Sequence, residues 1–291
     1  MSAPAVVVAA PASGSGKTTV ATGLMGALRQ AGHRVAPFKV GPDFIDPGYH
    51  GLAAGRPGRN LDPVLVPEEL IGPLYRHGCR GADIAVVEGV MGLFDGRIDE
   101  RFTLPARGST AQVAGLLGAP VLLVVDGRGQ SQTIAAVLHG FSTVVHDVRI
   151  GGVILNRVGS ARHEQVLRQA CESVGVPVLG AVPRRDELSV PSRHLGLVTA
   201  AEHGDRAQAA VAAMTELVAR HVDVDAVWSL AHSAVSAMPW SPEEAVGEPV
   251  AGSPVVAMAA GSAFTFGYAE HTELLAAAGA EVRNFDPLSQ T

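Results

Sequence analysis

The segment Ser13-Gly14-Ser15-Gly16-Lys17-Thr18-Thr19 lies between an apolar run, Val6-Val7-Val8, and a helical pattern that opens at Thr18, and it constrains the fold more than any other feature. Val20, Leu24, Ala27, Leu28 and Ala31 recur at helical spacing, and Gly32 stops the pattern. A glycine-rich turn leading from a buried strand into a helix aims consecutive backbone N–H groups and the positive helix end at one point, which suits a phosphate. Lys17 would then reach the β- and γ-phosphates of a nucleotide, and the Thr18 hydroxyl would bind Mg2+. The full pattern GxxxxGK(S/T) is not met, because Pro11 occupies the first glycine position.

Further short β-branched runs at 34–38, 84–87, 121–125, 150–155 and 176–182 each end in a polar or Gly-rich stretch. Helical patterns lie between them, as at 162–174 with Val166, Leu167 and Ala170. Strands without polar alternation are buried on both faces, and their alternation with helices predicts an α/β fold with a mostly parallel, doubly wound sheet. The 291 residues allow one large domain or two of ordinary size. Residues 1–225 read as one such domain and 226–253, rich in Ala, Ser, Pro and Gly, as a linker. At 254–260, 270–278 and 280–285 a strand, a helix and a strand follow, too little to bury a core. They read as the start of a second α/β domain, left incomplete within 254–291.

Net charge is −6, and the Arg residues form no basic run, so the electrostatic footprint of a nucleic-acid binder is missing. No apolar stretch is long enough for a membrane span, and the N-terminus lacks the character of a signal peptide, so the expectation is a cytoplasmic protein with no membrane partner. Cys79 and Cys171 lie far apart without a CxxC neighbour, which suggests neither a disulfide framework nor a zinc site. The eleven His show no metal-ligand spacing and read as solvent-facing or hydrogen-bonded structural residues. Only two of the 22 basic residues are Lys, namely Lys17 and Lys39. In a chain that otherwise uses Arg, these two mark positions that need a compact ammonium.

Open parallel sheets bind ligands at the carboxyl ends of their strands, so the residues following each strand are read together. Lys39 is followed by Asp43 and Asp46; the run at 84–87 is followed by Glu88 and Asp95; and Asp126, Asn156 and Pro183 with Arg184 follow the later runs. Carboxylates beside a triphosphate repel it unless a divalent cation lies between, so Asp43 and Glu88 join Thr18 as candidate Mg2+ ligands. Asp126, followed by Gly127, reads as a turn residue or as a further site carboxylate. Asn156 offers its amide to an adenine edge or caps the strand-to-loop turn.

The segments APASGSGKTT (10–19), PFKVGPDFIDPGYH (37–50), EGVMGLFDG (88–96), ILNRVGSARHEQVL (154–167) and VPSRHLGLV (190–198) resemble the cobyrinic acid a,c-diamide synthase family, including its hydrogenobyrinic acid variant. The resemblance covers residues 3 to about 225, and 263–291 resembles the opening of that family's glutamine amidotransferase domain. It implies a fold like that of dethiobiotin synthetase. It also implies ATP-dependent amidation of two acetate side chains, a and c, of a corrinoid acid in cobalamin biosynthesis, with ammonia derived from glutamine. By the same resemblance, residues Ser13 to Thr19 hold the phosphates, while Asp43 and Glu88 match the carboxylates on the metal side. Asp46 and Asp95 match acidic residues near the reacting carboxylate or the ammonia, and Lys39 would neutralise charge on the transferring phosphoryl group. Asn156 and the Pro183 backbone would bracket adenine. Arg193 and His194 sit in a family motif and carry no assigned role.

Neither cysteine has the nucleophile-elbow context of an amidotransferase, so glutamine hydrolysis is not expected from this polypeptide. Two alternatives stay open. A partitioning or regulatory P-loop switch would carry an additional Lys five residues before the P-loop Lys, where this chain has Ala12. A sister ligase, cobyric acid synthase or dethiobiotin synthetase, would differ in substrate. A homodimer is left open as well.

Overall fold

The computed structural model describes residues 2–184 and 199–290. The apolar runs become strands β1 (Ala5–Ala9), β2 (Val35–Val40), β4 (Ile84–Glu88), β5 (Val121–Asp126), β6 (Ile150–Val158) and β7 (Val178–Pro183). With a short edge strand, β3 (Arg59–Leu61), they form a seven-stranded sheet in the order β3-β2-β4-β1-β5-β6-β7, every pair parallel. The expected α/β, doubly wound architecture is thus present. Along β1 the pleat sends Ala5, Val7 and Ala9 to one buried cluster and Val6 and Val8 to the other, so both faces of the sheet are core.

One face is covered by α3 (Ile71–Gly78), α4 (Thr110–Leu117), α5 (Ile134–Thr143) and α6 (Ala161–Ser173), the other by α1 (Lys17–Gln30), α2 (Asp46–Ala54) and the helix Asp205–His221. Ser109 and Ser160 begin α4 and α6 by accepting the N–H of Gln112 and His163, which satisfies donors that the helix itself cannot. The expected first helix, ending at Gly32, is α1. Its Gly23 lies so close to the helix Asp205–His221 that a Cβ there would stand 2.4 Å from the Met214 carbonyl oxygen. The two helices therefore meet backbone to backbone.

β1 and β4 are neighbours at the centre of the sheet, yet the chain leaves β1 toward β2 on one side and leaves β4 toward β5 on the other. This is a topological switch point, and the crevice at the carboxyl ends of such a strand pair is where ligands bind in open α/β sheets.

Residues 226–253 run along the main unit. Within and around them lie the helices Val224–Leu230 and Pro242–Val246, with Val227 buried, Trp228 stacked on His33 at 3.9 Å, and the His232 carbonyl accepting from Ala5 N at 3.1 Å. Beyond them, β8 (Val255–Ala259) and β9 (Glu281–Phe285) pair in parallel around the helix Ala269–Ala277. Among the described residues no helix is long and apolar enough to cross a membrane.

Candidate functional site

The loop after β1 enters α1 through Gly16, whose φ of 99° is open to glycine and strained for other residues. A Cβ at this position would also stand 2.2 Å from Asn156 Nδ2. No side chain caps α1, so its first backbone N–H groups face the loop. Two residues from β6 brace this loop from outside. Asn156 Nδ2 donates to the Ser15 carbonyl at 2.8 Å, and Arg157 Nη1 donates to the Gly14 carbonyl at 2.8 Å. Arg157, with φ of 57°, is itself held by Asp126 at 2.5 Å. Asp126 also accepts from Arg128 N at 3.0 Å, so it serves as a turn residue and as a brace for the loop.

At the switch point four charged or polar side chains converge. Thr18 Oγ1 donates to Glu88 Oε1 at 2.6 Å and lies 3.4 Å from Asp46 Oδ2. Lys39 Nζ stands between the same two carboxylates, 2.6 Å from Asp46 Oδ2 and 3.1 Å from Glu88 Oε1, and it also donates to the Gly89 carbonyl. The parallel register explains the meeting, since Lys39 on β2 pairs directly with Glu88 on β4. The second Glu88 oxygen accepts from His50 Nε2 at 2.6 Å, an interaction buried on both sides. Sequence reading missed His50. A usable signal existed, because Asp46 and His50 are four residues apart on α2 and so share a helix face.

Burial alone would raise the pKa of the fully enclosed Glu88, but Lys39, His50 and Thr18 hold it well below the ordinary carboxylate range. Burial would likewise lower that of Lys39, but Glu88, Asp46 and Asp43 raise it above the ordinary value, so its ammonium is kept charged. Asp46 is pushed up to about 6 by burial and by the charge of Glu88. Burial lowers the pKa of Lys17, whose Nζ donates to the Met91 carbonyl at 2.5 Å; Met91 has a left-handed φ of 47°.

Asp43 and Asp95 stand further out. Asp43 Oδ1 accepts from Ile45 N and Asp46 N, a turn that starts α2, and its Oδ2 is 3.8 Å from Lys39 Nζ. Asp95 accepts from Gly92 N at 2.9 Å, and its charge acts on Lys17. Pro183 ends β7 opposite Val158. Arg193 and His194 lie outside the described residues. Cys79 and Cys171 are buried, their thiols pushed up by that burial to about 12 and about 11.

Among the described residues no three His, Cys, Asp or Glu side chains make a metal site on their own. The oxygens beside Thr18 are nonetheless hard donors, a hydroxyl and carboxylates of the kind Mg2+ accepts. Asp43, Asp46, Glu88 and Asp95 outnumber Lys17 and Lys39 by two charges, an excess that a divalent cation would offset. The donor set fits the ion. Of the candidate carboxylates, Asp46 and Glu88 stand nearer to Thr18 than Asp43 does in hydrogen-bonding terms.

A parallel sheet with a glycine-rich loop opening α1 at the switch point, and Lys17 and Thr18 at its start, defines a P-loop nucleotide-binding protein. More narrowly, the chain belongs to the CobQ/CobB/MinD/ParA nucleotide binding domain family, whose model matches residues 6–198. It is 71% identical over 287 residues to the hydrogenobyrinate a,c-diamide synthase of Mycobacterium bovis, covering 99% of this chain and 63% of that protein. The Streptomyces coelicolor protein of the same name is 56% identical over 316 residues, covering 98% and 64%. The cobyrinate a,c-diamide synthase of Gloeobacter violaceus is 45% identical over 288 residues, covering 98% and 61%. The chain thus spans less than two thirds of the length of these curated relatives.

Proposed function

We propose that this chain uses ATP to amidate the a and c acetate carboxylates of a corrin ring, cobyrinic or hydrogenobyrinic acid, through acyl phosphate intermediates. The observation that carries the reading is the 71% identity to a hydrogenobyrinate a,c-diamide synthase along 99% of the chain. The acidic cluster beside the phosphate loop supports it on chemical grounds.

Ammonia cannot displace oxide from a carboxylate, so the carboxyl group is activated first. One substrate carboxylate oxygen attacks the γ-phosphorus, the bond to ADP breaks, and ADP leaves with its electron pair. Ammonia then attacks the acyl carbon, the C–O bond to phosphate breaks, and nitrogen loses a proton as the amide forms. In this scheme the backbone N–H groups from Ser13 to Thr19 and the Lys17 ammonium hold the phosphates. Lys39, kept charged by its neighbours, meets the charge that develops on the phosphoryl oxygens.

Thr18, Asp43 and Glu88 would hold Mg2+, which would supply neutralisation of the triphosphate charge. Glu88 is fixed for that task by His50. Asp46 and Asp95 flank the place where the substrate carboxylate and ammonia meet, and Asn156 with the Pro183 backbone brackets the adenine. The Ser15 contact of Asn156 leaves its amide a second N–H for that purpose. ATP as co-substrate makes the cytoplasm the expected compartment.

The test incubates the purified chain with ATP, Mg2+, ammonium and a panel of corrinoid acids, and weighs the products by mass spectrometry for successive replacement of OH by NH2. Lys17→Ala should abolish ATP-dependent amidation, because the ammonium serves both binding and γ-phosphate charge. Near-normal turnover in that variant would overturn the nucleotide assignment.

A further inference from the structure

The acidic loop at 41–46 is held on two sides, and both sides lead to the same helix. On one side, Asn60 Nδ2 donates to the Gly41 carbonyl at 2.7 Å and to the Asp43 carbonyl at 2.8 Å. The residue before it in β3, Arg59, ion-pairs with Glu270 at 2.6 Å and also binds Glu273, both on the helix Ala269–Ala277. His77 Nε2 donates to the same Glu273 at 2.9 Å. On the other side, the Phe44 ring lies against Phe266 at 5.1 Å and 12° and against Tyr268 at 4.8 Å and 34°. Tyr268 is the residue that opens that helix. Between these supports the loop borders a cleft of about 740 Å3, lined in part by Asp43, Phe44, Asn60, Phe266, Tyr268 and Glu273. Phe44, Phe266 and Tyr268 belong to neither buried cluster of the sheet, and Phe266 is largely exposed.

We propose that Phe266 and Tyr268 are positioning residues, which act through Phe44 to set where Asp43 and Asp46 stand. The proposal rests on the function given above for those two carboxylates. Phe44 lies between them in the chain, and Asp46 N donates to Asp43 Oδ1 at 3.0 Å, so the ring and both carboxylates belong to one turn. Carboxylates that hold a metal ion or flank the reacting groups tolerate little displacement, since misplacement by about 1 Å can cost on the order of a hundredfold in rate. The helix Ala269–Ala277 thus reaches the chemistry from a segment that carries none of the phosphate-binding residues. Its Arg59 contacts fix β3, whose register beside β2 sets Asn60 opposite Lys39.

The test compares the whole chain with F266A/Y268A, with E270Q/E273Q, and with F266Y/Y268F, which keeps both rings. Hydrogen exchange is read in peptides covering 41–46 and, as an internal control, 5–30. Amidation is followed with ATP, ammonium and a corrinoid acid. F266A/Y268A should speed exchange at 41–46 by about tenfold, the size expected when an aromatic pair is lost, with the control peptide unchanged. kcat should fall by a similar factor or more while KM for ATP stays level, E270Q/E273Q should move both readouts in the same direction, and F266Y/Y268F should behave as the parent.

Unchanged exchange at 41–46 would overturn the proposal. So would unchanged kcat with a loosened loop, or a rise in KM for ATP that matches the fall in kcat. If the parent chain amidates no corrinoid acid, the function is what fails, and the exchange comparison still decides whether the rings hold the loop.

Discussion

Glu88 is a carboxylate fully enclosed by protein, and its cost is set by how completely its two oxygens are bonded. Lys39 and Thr18 serve one oxygen and His50 the other. His50→Ala should leave Oε2 without its partner and lower stability by about 1–3 kcal/mol, visible as a drop in melting temperature, with His50→Gln restoring part of it. Equal melting temperatures in all three proteins would show that Oε2 finds another donor. Glu88→Gln keeps the shape and removes the charge. We expect it to fold and to lose amidation by orders of magnitude, and a normal rate and Mg2+ requirement would remove Glu88 from the site. At this scale the sequence was a guide to where carboxylates lie, at strand ends, and of these Asp46 and Glu88 meet Thr18 and Lys39 while Asp43 and Asp95 stand further out. It was a poor guide to their braces: His50 is an ordinary helix residue, and Arg157 depends on a left-handed backbone that no composition announces.

Among the elements, the central strands were legible because burial on both faces demands unbroken apolar runs, as in Val121–Asp126. β3 was not, since Arg59-Asn60-Leu61 is a three-residue edge whose place comes from pairing with β2 rather than from β-propensity. Likewise Gly23 gives no local sign of the helix that lies against it. Gly23→Ala gains helix propensity of about 0.5–1 kcal/mol, but it forces a methyl into the Met214 backbone, and overpacking costs about 1–3 kcal/mol. The net expectation is a lower melting temperature; a higher one would mean the helices separate at little cost.

The link between the helix Ala269–Ala277 and β3 adds a dependence on pH. Burial would raise the pKa of Glu273, but hydrogen bonds and charge from Arg59 and His77 hold it below the ordinary Glu value. A carboxylate depressed in the folded state stabilises above its unfolded pKa, and that contribution is lost as pH falls through the folded value. Thermal melts below the ordinary Glu range should therefore show a loss that Glu273→Gln largely removes, and parallel pH profiles for the two proteins would refute it.

Taken whole, the polypeptide gathers its candidate chemistry at one end of one sheet. Cys79 and Cys171 are buried with raised thiol pKa values, so neither supplies a thiolate at neutral pH. On the function proposed above, the nitrogen donor should accordingly be free ammonia, with amide formation rising with ammonium concentration and with pH as more of it is unprotonated. Efficient use of glutamine as sole donor by this polypeptide would refute that. At the opposite end of the sheet, the turns at Gly81 and Gly175 are exposed, have left-handed φ, and would meet nothing within 4 Å if they bore a side chain. Since loop tips of this kind accept insertions, a surface tether or fluorescent label placed there would leave the strand ends at the switch point facing solvent and open to ligand.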